Sequence, residues 1–364
     1  MTPLGRRIAE AIASRGPMSL ERFWNIALFD PQGGYYTARR PFGAEGDFIT
    51  APEISQMFGE LLGAWLVAAW RKLGRPSPFV LAEIGPGRGT LMADLLRTTR
   101  RLDPAFAGAA RLWLVETSDR LAGEQAAALA RFDLPVRRAR RLAEVEDGPL
   151  LLVANELFDA VAIRQFVFGA EGWRERLVSL DGEALRFVEG EAGTAHPLPG
   201  AGTPAPGDVA EVSPLREAIA AEIGSRLARR PGAALLIDYG HARSGFGDTL
   251  QALRAHAFAD PLADPGLHDI TSHVDFARLS AALAGAGASV SPVGTQGEFL
   301  LSLGLAERAA RLARDRGPED RARVASDARR LAGGGPGEMG ALFKVLAAAS
   351  RPLALPPFGA GGLD

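Results

Sequence analysis

Glu83 stands two residues before Gly85 in the run Val80-Leu81-Ala82-Glu83-Ile84-Gly85-Pro86-Gly87-Arg88-Gly89-Thr90, and three glycines occupy alternate positions after the acid. An apolar run, a glycine turn and a helix-like stretch from Leu91 to Arg97 read as strand, tight turn and helix N-terminus. That geometry lets a backbone come close to a nucleotide-like ligand. A second acid, Glu116, closes the apolar run Leu112-Trp113-Leu114-Val115 about one βα unit downstream. There a carboxylate can accept hydrogen bonds from both hydroxyls of a ribose. Asn155 breaks a third apolar run, just before Glu156. At the carboxyl end of a parallel strand a polar side chain faces the ligand crevice. Asparagine also suits a helix N-cap, so both roles are open for Asn155.

The glycine spacing narrows the ligand. A dinucleotide fingerprint is G-x-G-x-x-G, with its third glycine one residue later than Gly89. E-x-G-x-G-x-G resembles instead the first motif of class I methyltransferases, whose turn faces the methionyl part of S-adenosylmethionine and has no pyrophosphate to cradle. The expected cofactor is S-adenosyl-L-methionine, held by Glu83, Gly85, Gly87, Gly89, Glu116 and Asn155. NAD sites use a similarly placed acid, so Glu116 alone does not discriminate.

The elements that must position these groups alternate. Val80–Gly85, Arg111–Glu116, Val136–Leu142, Leu150–Leu157 and Ala233–Tyr239 read as strands, and Thr90–Thr99 and Ser118–Phe132 as helices between them. Near-continuous apolar strands separated by helices imply a parallel sheet covered on both faces, a doubly wound α/β domain. From Arg164 to Glu191 three short alternating segments suggest an inserted antiparallel meander. His196 to Gly207, rich in Pro and Gly, reads as a loop and Leu215–Arg230 as a helix. Val274–Ala284 is a further expected helix, while Ser289–Val293 and Glu298–Leu303 suggest a closing hairpin. The expected division is a helical region 1–79 with a cofactor-covering loop, a core 80–304 with an insertion at about 164–231, and a helical extension 305–364.

Composition limits the rest. The 364 residues carry a net charge of −2, which demands neither nucleic acid nor membrane as partner. Arg137, Arg138, Arg140 and Arg141 read as a solvated strand edge. The absence of cysteine excludes disulfides, thiolate catalysis and zinc–thiolate sites. Five scattered histidines offer no paired metal spacing, so no metal site is expected. His241 is a candidate base at a strand end, with a structural role equally open, and His273 a candidate helix cap. Met1 to Gly16 is an amphipathic helix without the apolar core of a signal peptide, and cytoplasm is the expected location.

Over nearly the whole chain the sequence resembles the MidA family, the mitochondrial complex I assembly methyltransferase family. The segments that carry the resemblance are Gly46-Asp47-Phe48-Ile49-Thr50-Ala51-Pro52-Glu53-Ile54-Ser55-Gln56, the glycine turn, Val115-Glu116-Thr117-Ser118 and Asn155-Glu156-Leu157-Phe158-Asp159-Ala160. Asp238-Tyr239-Gly240, Asp248-Thr249-Leu250-Gln251, His273-Val274-Asp275-Phe276, Gln296-Gly297-Glu298-Phe299-Leu300 and Met339-Gly340-Ala341-Leu342-Phe343-Lys344 follow. The family often has Phe where Leu157 stands and Pro near Ala162, and its D-L-T run is Asp269-Ile270-Thr271 here. The resemblance implies an S-adenosylmethionine-dependent methyltransferase, in which Thr50, Pro52, Glu53 and Ser55 fold over the cofactor. Pro52 and Glu53 also suit a plain capped helix start. Mitochondrial members are associated with arginine methylation of a complex I subunit; with no transit peptide evident, the chain looks like a bacterial member. Expected partners are a protein substrate, with a complex I subunit as candidate, and a second copy in a homodimer.

Arginine is a poor nucleophile because its guanidinium stays protonated at physiological pH. A site for it needs carboxylates that orient the planar fork and assist proton loss. Glu156 and Asp159, with Asn155, are the candidates for catalysis, and a three-residue spacing would put both acids on one side of a helical turn. Three rival readings remain: an NAD-dependent oxidoreductase on the same sheet, an assembly factor that binds without turnover, and methylation of a small molecule or nucleic acid.

Overall fold

The computed structural model describes residues 1–38, 50–192, 198, 201–254 and 257–359. The chain divides into two compact units, one built from residues 1–49, 158–217 and 243–275 and the other from 50–157, 218–242 and 276–364. This corrects the expected division at 79 and 304. The smaller unit is assembled from three separate stretches of chain, and the insertion ends earlier than 231 and is followed by a second excursion.

In the larger unit the main strands are β1 (Phe79–Ile84), β2 (Ala110–Val115), β3 (Val136–Ala139), β4 (Leu150–Asn155), β5 (Gly232–His241) and β6 (Phe343–Ala349), ordered β3-β2-β1-β4-β5-β6, with the short strands Ser289–Val290 and Gly294–Thr295 on β6. All neighbours are parallel except β5 and β6. β1 and β4 are buried along their whole length, as strands packed on both faces must be. The order runs outward from β1 through β2 to β3, then reverses to β4, so the topological switch point lies between β1 and β4. Helices α1 (Ala51–Ile54), α2 (Gln56–Lys72), α3 (Thr90–Leu102), α4 (Asp119–Leu129), α5 (Pro214–Arg229) and α6 (Gln296–Ser302) include those that join the strands. The core is aromatic on one flank, where Trp70 and Phe79 enclose Phe106 at ring-centroid distances of 5.5 and 4.9 Å.

Two expectations at the C-terminal side fail. Residues 305–364 are not a helical extension only, because β6 joins the core sheet beside β5. The supposed strand Glu298–Leu303 is α6, started by a capping box between Thr295 and Glu298, and Ser289–Val290 pairs with β6 instead. The arginine-rich β3 is the sheet edge, as expected; Arg137 pairs with Glu146 at 3.0 Å and Arg140 with Asp119 at 2.8 Å.

The smaller unit carries the antiparallel meander Arg164–Gly169, Gly172–Asp181 and Ala184–Ala192, with Val209–Val212 on the far side of the first strand. Helices Pro3–Arg15 and Leu20–Phe29 start at the side-chain caps Thr2 and Ser19. They bury Leu4, Ile8, Ile12, Phe23 and Trp24 with Val178 and Ile270. A three-stranded sheet of Gln251–Arg254, Ala257–Ala259 and Asp269–Thr271 forms the second excursion. Of the expected loop 196–207, residues 196, 197, 199 and 200 lie outside the described residues. So do residues 46–49 of the expected cofactor-covering segment.

Candidate functional site

Register brings three expected groups to one level of the sheet. Ile84 of β1 pairs with Val115 of β2 and with Ala154 of β4. Gly85, Glu116 and Asn155 are the next residues of three adjacent strands, about 4.8 Å apart from strand to strand. They stand at the carboxyl ends, at the switch point, where open α/β sheets bind ligands.

The glycine turn is left-handed at every second residue, with φ of 68° at Gly85, 51° at Gly87 and 82° at Gly89. A side chain at Gly87 would meet nothing within 4 Å, so the backbone there faces open space. At Gly89 a Cβ would come within 3.3 Å of the Gln125 Cα, so this glycine lets α4 approach the turn. Gln125, buried on α4, donates from Nε2 to the Gly87 carbonyl at 2.8 Å and to Glu116 Oε2 at 3.1 Å. It thereby fixes the turn to the acid that follows β2, a role the sequence did not reveal. Glu116 Oε1 also accepts the Ser118 N–H at 2.7 Å.

Glu83 is buried at the end of β1, and its Oε2 has no hydrogen-bond partner among the described residues. Burial, reinforced by the nearby Glu116 charge, pushes its carboxyl up to about 8. Burial also raises Glu116, though its hydrogen bonds to Ser118 and Gln125 oppose the shift.

Asn155 donates from Nδ2 to Glu156 Oε1 at 2.9 Å, and its buried Oδ1 has no partner among the described residues. Glu156 has φ of 49°, left-handed for a residue with a side chain. Its N–H is held by the Ile237 carbonyl of β5 at 2.9 Å, which keeps it in that strained conformation. Glu156 Oε1 also accepts the Ala51 N–H at the start of α1, at 3.1 Å. The expected helical turn carrying Glu156 and Asp159 is therefore absent. No helix follows β4, only bends and a turn leading to the strand Arg164–Gly169, so Asn155 caps no helix.

The expected capping segment is two helices broken at Ser55. Thr50 is the N-cap position of α1 but makes no side-chain capping bond, and Pro52 lies buried in the first turn. Ser55 caps α2 through the Met57 N–H. Glu53 reaches the glycine turn: its Oε1 accepts from Thr90 Oγ1 at 2.6 Å, and Arg88 lies 3.7 Å from its Oε2. Asp159 belongs to the smaller unit, where it is buried and its carbonyl accepts from Arg216 at 3.1 Å. His241 ends β5 half-buried, and the His273 carbonyl accepts from Arg216 at 2.9 Å.

Buried polar atoms are ordinarily hydrogen-bonded. Glu83 Oε2, Asn155 Oδ1 and Gln125 Oε1 are acceptors that no described residue engages. With the open space at Gly87, they fit a ligand that carries ammonium and hydroxyl donors, as S-adenosylmethionine does.

Residues 61–293 match the model of a family described as S-adenosyl-L-methionine-dependent methyltransferase. The chain is 36% identical to the protein arginine methyltransferase NDUFAF7, mitochondrial, of Mus musculus, over 84% of this chain and 75% of that protein. It is 36% identical to the Drosophila melanogaster homologue over 94% and 84% of the two chains. A Burkholderia thailandensis crystal structure bound to S-adenosyl-homocysteine superposes with a TM-score of 0.83 at 30% identity, covering 98% of this chain and 95% of that one. The fold and site define a class I methyltransferase that uses S-adenosyl-L-methionine. The chain belongs to the MidA family of these enzymes. The oxidoreductase reading is thereby set aside. The expected cytoplasmic location is corrected by relatives that are named mitochondrial proteins. Among the described residues, no helix is long and apolar enough to cross a membrane.

Proposed function

We propose that this methyltransferase transfers methyl groups to arginine side chains of a protein, with a subunit of respiratory complex I or its counterpart as the target. The observation that carries the reading is the run of relatives, 34–36% identical over most of the chain, that are named protein arginine methyltransferases. The site chemistry supports it, since a carboxylate at the strand end suits a guanidinium.

In this reading Glu116 accepts from the ribose hydroxyls, while Glu83 and the turn Gly85, Gly87 and Gly89 serve the methionyl end. Thr50, Pro52, Glu53 and Ser55 cover the cofactor, the Glu53–Thr90 hydrogen bond tying that cover to α3. The bound cofactor supplies a methyl carbon already activated by its sulfonium. Asn155 and Glu156 would orient the acceptor nitrogen and help exclude water. A guanidinium that takes up the methyl group gives up one proton. Glu156 orients the fork, holds the positive charge and is the carboxylate for the proton.

Mass spectrometry of complex I subunits from cells with and without an active gene tests the target. Loss of an arginine methyl mark in the inactive strain is the expected result; an unchanged methylation pattern refutes the target. Transfer of radiolabelled methyl into cell extract separates an enzyme from an inert cofactor-binding assembly factor.

A further inference from the structure

We propose that Gln125 is a positioning residue for cofactor recognition: acting through Glu116, it holds the ribose-binding carboxylate and the glycine turn at one fixed spacing. The inference rests on the reading of Glu116 given above.

The side-chain nitrogen of Gln125 has two N–H groups, and both are committed. One goes to the Gly87 carbonyl at 2.8 Å and the other to Glu116 Oε2 at 3.1 Å. A ligand laid across the switch point meets the turn after β1 at one end and the acid after β2 at the other. One nitrogen thus bridges the two halves of the cofactor site, and everything it joins lies in the larger unit. A bridge made before the ligand arrives lowers the cost of ordering the site on binding.

The helix that carries Gln125 is placed to bring it there. Ser118 caps α4, and Leu121, Ala122, Gln125 and Leu129 form its buried face. Gln125 is 0% exposed, and Gly89 is what admits its main chain so close to the turn. A position buried among leucines ordinarily takes an apolar residue, because a buried amide costs free energy unless it is bonded. The Gln125 Oε1 is engaged by no described residue, so within the protein the amide works through its two N–H groups alone. Asparagine would fall one methylene short of both acceptors. Glutamate has no donor and would add a charge beside Glu116 and Glu83.

Electrostatics give the bridge a second effect. Burial pushes the Glu116 carboxyl up, while the N–H groups of Ser118, Gln125 and Thr117 and the charge of Arg138 on β3 favour its ionised form. Glu83 on β1 is the like charge that opposes them. An ionised carboxylate is acceptor-only, as two ribose hydroxyls require, so the amide orients Glu116 and also helps to keep it in the form that binds.

The test is a double-mutant cycle read by calorimetric titration with S-adenosyl-homocysteine. Gln125→Leu is expected to weaken binding about tenfold, the size of one hydrogen bond to a charged group. Gln125→Met, which keeps the shape of the side chain, should repeat the loss, with an unchanged circular dichroism spectrum in both. In a Glu116→Ala background the leucine change should cost less than about twofold, because residues that act through one another are not additive. In the ligand-free protein, carbon-13 NMR of the Glu116 carboxyl should show it titrating at higher pH in Gln125→Leu than in wild type. Wild-type affinity in both Gln125 variants, an equal loss in the two backgrounds, or an unmoved Glu116 titration overturns the inference. If Glu116→Ala itself binds as wild type does, the ribose reading of Glu116 is what fails; a loss there with none in Gln125→Leu strikes Gln125 alone.

Discussion

Glu156 Oε1 accepts the N–H of Ala51 at 3.1 Å across 105 residues of sequence, so the carboxylate at the end of β4 anchors the first turn of α1. The same oxygen takes the Asn155 amide at 2.9 Å. Glu156 is thus an anchor as well as the candidate that orients the acceptor.

Two substitutions separate those duties. Glu156→Gln keeps an oxygen that can face Ala51, whereas Glu156→Ala leaves that N–H without it. We expect S-adenosyl-homocysteine affinity to fall about tenfold in the alanine variant and little in the glutamine one, the loss of one hydrogen bond worth about 1–1.5 kcal/mol. Turnover should fall in both. Full turnover in Glu156→Gln would leave anchoring as its only role.

Glu53 ties the same segment to the glycine turn through Thr90 and Arg88. Glu53→Ala and Thr90→Val are both expected to weaken cofactor binding by roughly threefold to tenfold, the range of a single hydrogen bond, with an unchanged circular dichroism spectrum. Wild-type affinity and turnover in Glu53→Ala would contradict the covering role.

The Glu83 carboxyl, raised to about 8 chiefly by burial, is mostly protonated at pH 7. A folded-state value above the unfolded one makes ionisation costly, so its contribution to stability is greatest below the ordinary carboxylate range and is lost as pH rises through about 8. An ammonium donor at Oε2 would favour the ionised form. Cofactor binding at pH 7 should therefore release roughly one proton, read by calorimetry in buffers of different ionisation heat. Glu83→Gln should abolish the release; an undiminished release would show that the proton comes from elsewhere.

The glycines of the turn differ in what constrains them. Gly87→Ala adds a methyl facing open space but in a left-handed conformation, a cost of about 1–2 kcal/mol. Gly89→Ala carries the same strain and also presses on Gln125 at 3.3 Å. Thermal unfolding should show the larger loss in Gly89→Ala, while both lose cofactor affinity. Equal melting temperatures would mean that α4 yields to the new methyl.

β6 predicts a stability effect where a helical appendage would predict little. Leu346 is fully buried and pairs with Leu236 of β5. Leu346→Ala should cost about 2–5 kcal/mol in denaturant unfolding, as large-to-small changes in packed cores do. A loss below about 1 kcal/mol would place this strand outside the cooperative core.

The cofactor class was legible because its signals are local. An apolar run, an acid and spaced glycines sit within eleven residues, and Glu116 closes the next strand. β6 was not legible: Phe-Lys-Val-Leu-Ala-Ala-Ala is rich in helix formers and becomes a strand only through pairing with β5. The start of α6 could have been read from Thr295 and Glu298 at capping-box spacing. Gln125 gave no signal, since a glutamine on a helix is ordinarily solvated. The left-handed Glu156 was equally hidden, because its conformation is imposed by Ile237 and Ala51, both distant in sequence.

The place of β6 also sets a clock on biosynthesis. Until residue 349 leaves the ribosome, β5 has an unpaired edge lined by Leu235, Leu236 and Ile237. At ordinary elongation rates the roughly one hundred residues between the two strands take about 5–20 s to make. Throughout that interval the nascent sheet is a template for pairing with another chain. Slow codons downstream of β5 would lengthen the exposure, and a chaperone that shields that edge would raise the yield of folded enzyme.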